Sequence, residues 1–119
     1  MCDATDMAHT ISYWTRDRTR GPKHGLEDMV RRLTAANAEA IGLHDRGRIE
    51  PGLRADVNIV DYDALQLHSP KVQYDLPAGG KRLVQRSKGF DATIVAGELV
   101  WRDGEATGTL PGRLLRSGV

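Results

Sequence analysis

The stretch Arg46–Asp61, RGRIEPGLRADVNIVD, decides how this chain folds. Gly47 precedes Pro51 by four residues and Gly52 follows it directly, and glycine and proline at such positions predict tight turns. From Val57 onward, apolar and polar residues alternate with a period of two, and the β-branched residues favour a strand. The stretch therefore predicts a turn-rich connection that leads directly into a β-strand.

Two amphipathic helices are predicted before this connection. The first runs from about Met7 to Thr15, with Asp6 as its N-cap and an apolar stripe of Met7, Ile11 and Trp14. The second is one continuous helix from about Leu26 to Ile41, which Gly42 ends by taking a left-handed conformation.

Charged side chains support the second helix. Glu27 with Arg31 and Asp28 with Arg32 are spaced four residues apart with the acid first, and this order stabilises a helix. Both acids also lie in the first turn, where the helix dipole favours negative charge. The sequence therefore predicts these two ion pairs.

Short β-strands are predicted after the connection. The region from Ala64 to Lys88 is interrupted by prolines and glycines, which leaves brief strand candidates at 72–74 and 81–85. Residues 92–96 and 99–102 form two β-rich runs around a Gly97–Glu98 link, and this pattern predicts a hairpin with a primed turn. Asp103 and Gly104 predict one more turn.

Length and charge limit the possible functions. A chain of 119 residues forms one domain at most and is too short for a (β/α)8 barrel, which needs about 250 residues. Its 17 basic and 16 acidic residues are interleaved, so apart from the short basic run Arg16–Arg20 no positive face predicts nucleic-acid binding. Without a hydrophobic leader or an 18-residue apolar run, we expect a cytoplasmic protein and no membrane partner.

Several phrases outside Arg46–Asp61 extend a recognisable pattern over nearly the whole chain: CDATD at 2–6, WTRDRTRG at 14–21, YDLPAGGKRL at 74–83, IVAGELVWRDGE at 94–105 and PGRLLR at 111–116. Together they resemble the C-terminal portion of the metal-dependent amidohydrolases, in particular the N-acyl-D-amino-acid deacylase (D-aminoacylase) branch. The glycine-proline-glycine phrase followed by Ala55 and Asp56 is shared by many amidohydrolases, whereas the run Asp75–Gly80 is more typical of the deacylase branch.

This resemblance implies an α+β fold and not a complete barrel. Residues 1–45 would be a helical segment equivalent to the end of the barrel, with two N-terminal helices of which the second corresponds to the last barrel helix. Residues 46–119 would form a small, mostly antiparallel β-sheet like the composite β-domain of these enzymes. We expect the two segments to form one compact unit.

The resemblance also implies a chemistry, metal-assisted hydrolysis of non-peptide C–N bonds, with zinc in the full-length family. The family's His-X-His motif is absent from the sequence, so we expect no catalytic residue, no metal ligand and no cofactor in this chain. An alternative metal site of Asp3, Asp6 and His9 is spaced three residues apart, but Asp3 and Asp6 suit a turn and a helix cap better. The segment 2–20 would lie nearest the active-site mouth, and the candidates for substrate-side contacts are Asp3, Trp14 and Arg16.

Two functions remain open at this point. The chain is either a C-terminal fragment of an amidohydrolase of the N-acyl-D-amino-acid deacylase type, inactive alone, or a stand-alone oligomerising or interaction module from a truncated gene. Open strand edges and uncovered apolar faces seek partners. The expected partner is therefore a second copy, giving a homo-oligomer, or the missing N-terminal barrel portion.

Overall fold

A computed structural model of the chain describes residues 5–115 and has an α+β architecture, as predicted. The α-helices and a π-helix occupy the N-terminal third: α1 (Asp6–Ser12), the π-helix (Tyr13–Asp17), α2 (Leu26–Leu33) and α3 (Ala35–Ala40). A short 3-10 helix (Pro77–Gly79) lies farther along the chain. The strands follow as β1 (Val57–Val60), β2 (Gln66–Leu67), β3 (Lys71–Leu76), β4 (Gly80–Val84), β5 (Ser87–Lys88), β6 (Phe90–Val95), β7 (Glu98–Arg102) and β8 (Glu105–Ala106). All strand pairs in the described part of the chain are antiparallel, and no barrel closes there.

The first helix begins one residue earlier than predicted. Thr5 holds the N-cap position and Asp6 is the first helical residue, so Asp6 is not the cap. The carbonyl of Thr5 accepts the amide of His9 at 3.0 Å, and the hydroxyl of Thr5 bonds Gln85 instead of the helix end. The carboxylate of Asp6 in the first turn still complements the positive end of the helix dipole.

The second predicted helix is broken at Thr34. The backbone of Thr34 leaves the helical region, with φ −120° and ψ −89°, and divides the segment into α2 and α3. Its hydroxyl donates to the carbonyl of Val30 at 2.7 Å, a bond that competes with regular helix geometry and bends it. Gly42, with φ 75°, ends α3 as predicted, while the amide of Leu43 reaches back to Ala38.

One of the two predicted ion pairs is present. Arg32 donates to Asp28 at 2.7 Å, as the i,i+4 spacing predicts. Arg31 bonds the same carboxylate at 3.3 Å and not Glu27, because Asp28 lies within reach of both arginines. The Arg32 guanidinium lowers the pKa of Asp28 below its usual range.

The connection Arg46–Asp61 folds against α3 and the main sheet. Gly47 has φ 88°, and a Cβ there would lie 2.9 Å from the Cβ of Ala38, so the loop touches the helix at a point where only glycine fits. At the other end, Asp56 binds the guanidinium of Arg54 at 2.9 Å and accepts the amide of Ala96 at 2.8 Å. The connection therefore links the last helix to the sheet.

The main sheet has four strands in the order β1-β6-β7-β8. The predicted hairpin is present, but its two-residue link is Ala96–Gly97 and not Gly97–Glu98. Both link residues have positive φ, 53° and 83°, which defines the type I′ turn that matches the strand twist. The predicted turn at Asp103–Gly104 joins β7 to β8.

Two smaller two-stranded sheets lie between β1 and β6 in the chain. One pairs β2 with β5; the other is a hairpin of β3 and β4, which confirms the two brief strands expected in this region. The fully buried Leu65 precedes β2, and the other buried residues within 5–115 are small or scattered: Ala8, Ser12, Met29, Ala38 and Ala92. The division into segments at residues 45 and 46 stays a prediction.

Candidate functional site

The π-helix Tyr13–Asp17 carries two of the three substrate-side candidates, Trp14 and Arg16. It continues α1 without a break, and the amide of Arg18 closes its wider turn onto the carbonyl of Tyr13 at 2.8 Å. Short π-helical turns are rare in proteins as a whole, but many of those that do occur lie at functional sites. Trp14 and Arg16 on this π-helix have different neighbours: Arg18 lies over the ring of Trp14, and Arg16 donates to the loop 62–65.

Arg16 is bound by the protein through all five of its N–H donors. Its two Nη atoms donate to the backbone carbonyls of Tyr62, Asp63 and Leu65, with the bonds to Asp63 and Leu65 at 3.1 and 2.6 Å. The remaining two donors pair with Asp17 at 2.7 and 3.0 Å. A guanidinium has five such donors, so a substrate contact by Arg16 requires one of these bonds to be exchanged.

The pair of Arg16 and Asp17 perturbs both groups in the expected directions. The hydrogen bond from Arg16 lowers the pKa of the Asp17 carboxyl, and the bond to Asp17 raises the pKa of Arg16. The guanidinium also lies 5.5 Å from the ring centre of Tyr62. The Tyr62 hydroxyl in turn bonds the hydroxyl of Thr15 at 2.7 Å, which fixes the π-helix to the loop after β1.

Trp14 is the centre of a row of rings. The guanidinium of Arg18 lies 4.5 Å from its ring centre, within cation-π range. Tyr13 and His24 approach it edge-on at 5.4 and 6.0 Å, and His9 stacks on Tyr13 at 5.2 Å. The half-buried indole is thus covered partly by the chain itself, and its substrate role stays a prediction.

The sequence did not indicate the partners of these residues, although one signal was available. Arg18 follows Trp14 by four residues, a spacing that places side chains together on a helix. His24 reaches Trp14 because its amide donates to the Trp14 carbonyl at 3.0 Å across the loop 18–25. The contact of Arg16 with the loop 62–65 bridges more than 45 residues and has no local signal.

The remaining candidate, Asp3, lies outside the described residues, as does Cys2. Asp6 and His9 are exposed on α1. Within residues 5–115, no group of three or more His, Cys, Asp or Glu side chains is arranged to hold a metal ion. The described residues therefore do not fit the zinc site that the resemblance implies for the full-length family, and no metal-assisted step is assigned to them.

A surface cleft of about 380 Å³ lies elsewhere, between the turn at Ala96 and the C-terminal segment. Arg54, Glu98 and Arg113 line it, and neither Trp14 nor Arg16 does. The cleft is therefore separate from the candidate residues on the π-helix.

Within residues 5–115, no helix is long and apolar enough to cross a membrane.

Comparison with known proteins identifies the family. The model of the amidohydrolase family matches residues 2–105, which is most of the chain. This chain belongs to the amidohydrolase family. Over 110 residues it is also 38% identical to a Streptomyces avermitilis protein named allantoinase, a match that covers 86% of this chain.

The match to the Streptomyces protein covers only 22% of that relative, so this amidohydrolase chain spans about a fifth of the relative's length. No solved structure matches the chain. Membership of the amidohydrolase family confirms the coarser part of the resemblance drawn from the sequence. The deacylase branch is a finer assignment, and the matched relative carries a different name.

Proposed function

We propose that this chain is the scaffold that follows the catalytic barrel of a metal-dependent amidohydrolase, a hydrolase of non-peptide C–N bonds. The family match over residues 2–105 is the observation that carries this proposal. The absence of a metal-ligand group from residues 5–115 supports a role in which the rest of the enzyme holds the metal. Alone, the chain is expected to be inactive. We also propose that it resides in the cytoplasm and has no nucleic-acid partner.

The substrate we propose is an N-acyl-D-amino acid. Its support is the run Asp75–Gly80, which resembles the deacylase branch, whereas the 38% identical relative is named allantoinase. Asp3, Trp14 and Arg16 are proposed as substrate-side contacts, because the segment 2–20 would lie nearest the active-site mouth. All five donors of Arg16 are already occupied by the protein, so its contact would be made in exchange for one of these bonds.

A grafted enzyme tests the scaffold. This chain replaces the matching segment of the Streptomyces avermitilis relative, and hydrolysis of allantoin and of an N-acetyl-D-amino acid is measured for the graft and for the unmodified relative. Retained turnover supports the scaffold role, and a rise in the N-acetyl-D-amino-acid rate relative to allantoin supports the substrate-side contacts. A graft that folds and is inactive on both compounds overturns the scaffold role.

The purified 119-residue chain is the matched control. It is incubated with zinc, its metal content is measured, and the same two compounds are offered. We expect the purified chain to hydrolyse neither compound. Stoichiometric zinc together with turnover would show that the chain carries its own active site.

The alternative function is a stand-alone oligomerising module. Exposed apolar side chains favour it, among them Tyr74, which is 71% exposed, and Val72, which is 55% exposed. Light scattering on the purified chain at tens of micromolar tests this alternative. A mass of two or more chains supports the homo-oligomer, and a mass of one chain counts against it.

A further inference from the structure

The hairpin of β3 and β4 presents an apolar face that the described chain does not cover. Val72 and Leu83 are cross-strand partners and so share a face, and Tyr74 follows Val72 at the next alternate position of β3. These three side chains are 55, 41 and 71% exposed, in that order. An exposed apolar cluster of this kind marks an interaction surface.

The other face of the hairpin is polar except for Leu76 near the turn, which pairs with Gly80. Arg82 is the cross-strand partner of Gln73, and it donates to Asp75 at 2.8 and 2.7 Å. The Arg82 guanidinium lowers the pKa of Asp75. One face is therefore suited to water and the opposite face to burial, as in a strand pair that packs on a larger body.

The whole chain exposes more surface than a compact protein of its mass. Its accessible area is 9138 Å² for 13.1 kDa. A compact monomer of that mass exposes about 6,400 Å², so roughly 2,700 Å² is in excess. Its radius of gyration, 16.3 Å, also exceeds the roughly 13.5 Å expected for this length.

The area and its distribution indicate which partner covers the hairpin. A two-fold contact between copies buries one self-complementary patch, about 800 Å² per chain at standard size and about 1,000–2,500 Å² in obligate homodimers, which is below the excess. Exposed apolar residues also lie on α1, α2 and β1, at Met7, Val30 and Ile59. A larger body can cover several such elements, and the other 78% of the matched relative is a body of that size.

We infer that the apolar face of the β3–β4 hairpin, formed by Val72, Tyr74 and Leu83, is the docking surface for the remainder of the amidohydrolase. This inference rests on the proposed function and adds to it the element that makes the contact. The contact that we infer is one of assembly and not of substrate binding.

Limited trypsin digestion tests this inference without a mutation. The hairpin carries trypsin sites at Lys71, Lys81 and Arg82. In the isolated chain these sites are expected to be cut readily, and in the grafted enzyme at least tenfold more slowly, because a docked hairpin must detach before cleavage. Equal cleavage in an active graft overturns the inference and leaves the scaffold role intact.

Two single substitutions in the graft identify the face. Val72→Asp places a charge on the apolar face, and Gln73→Asp places the same charge one residue along, on the polar face. We expect Val72→Asp to restore fast cleavage, by at least tenfold, while Gln73→Asp stays within twofold of the graft. Circular dichroism of both variants in the isolated chain checks that the fold is kept, and equal effects of the two substitutions in the graft overturn the inference.

Two further outcomes count against the inference. If the isolated chain becomes resistant to trypsin as its concentration rises and light scattering gives the mass of two chains, the occupant is a second copy. A graft that does not fold overturns the scaffold role and the docking surface together. An active graft with an unprotected hairpin overturns the docking surface alone.

Discussion

At the scale of single residues, Arg16 is the best-defined link in the chain. It joins the π-helix to the loop 62–65 through three backbone carbonyls, and its side chain is 26% exposed. Hydrogen bonds from a charged donor contribute about 1.5–3 kcal/mol each at partly buried sites, and a planar guanidinium can satisfy several acceptors at once. The same geometry that fixes the loop leaves Arg16 with no unused donor.

The first prediction follows from this geometry. Arg16→Lys keeps the charge but loses the fork, so it is expected to lower the free energy of unfolding of the isolated chain by about 1–3 kcal/mol. Urea denaturation followed by circular dichroism measures the change. Arg102→Lys is the matched control, because Arg102 is 70% exposed and its contact with Asp103 is long, at 3.9 Å. This substitution should cost less than about 0.5 kcal/mol. Equal effects would contradict the structural role of Arg16.

The family resemblance singled out Trp14 and Arg16 as candidates but not the residues that surround them, and their substrate role stays a prediction. The phrase WTRDRTRG was sufficient to single out Trp14 and Arg16, and the four-residue spacing to Arg18 was readable as well. The carbonyls that bind Arg16 carry no side-chain signal, because any residue has one. Such contacts follow from the tertiary fold and cannot be predicted from the sequence alone.

At the scale of elements, the connection Arg46–Asp61 has two glycines with nearly equal backbone geometry and different surroundings. Gly47 has φ 88° and Gly52 has φ 89°. A Cβ on Gly47 would meet Ala38 and Ala35 of α3 at 2.9 and 3.0 Å, whereas a Cβ on Gly52 would meet nothing within 4 Å. The two positions therefore separate backbone strain from steric contact.

The second prediction uses this pair. Gly52→Ala should cost about 1–2 kcal/mol from the left-handed conformation alone. Gly47→Ala should cost that amount and about 1–3 kcal/mol more, because the loop or α3 must move. The difference between their urea midpoints measures the contact between the connection and the helix. Equal midpoints would mean that the connection does not pack on α3.

Elements were predictable where their signals are local. The type I′ hairpin, the strand at Val57 and the stop at Gly42 each depend on a few adjacent residues, and all three are present, with the hairpin link shifted by one residue. The break at Thr34 was missed because a single threonine within a helical pattern carries only a weak signal. The pairing of β2 with β5 was missed because strands of two residues show no periodicity.

At the scale of the whole molecule, acid sensitivity follows from four carboxylates. Asp17, Asp28, Asp45 and Asp75 each accept a hydrogen bond from an arginine, and that bond lowers the pKa of each one in the folded chain. The unfolded chain then binds protons more readily as the pH falls. This stabilisation is complete above the ordinary aspartate pKa of about 3.9 and is lost as the pH falls through the lower folded values.

The third prediction is that the free energy of unfolding changes little from these groups between pH 7 and 5 and falls below about pH 4. Urea denaturation at a series of pH values measures it. Asp28→Asn removes one titrating group and should make the decline shallower. Stability that rises between pH 5 and 3 would contradict the assigned direction.

The exposed surface leads to the last prediction, which concerns how the chain responds to denaturant. An unfolded chain of 13.1 kDa exposes roughly 19,000 Å², so folding to 9138 Å² buries about 9,900 Å², against about 12,600 Å² for a compact protein of this mass. The slope of unfolding free energy against urea scales with the buried area, so the isolated chain should have a slope about four-fifths of that of a compact 119-residue domain. A slope equal to that of a compact domain would mean that the isolated chain already buries the apolar faces of the hairpin and helices in solution. The docking surface would then be covered without the rest of the enzyme, whereas a low slope leaves it open to the barrel portion.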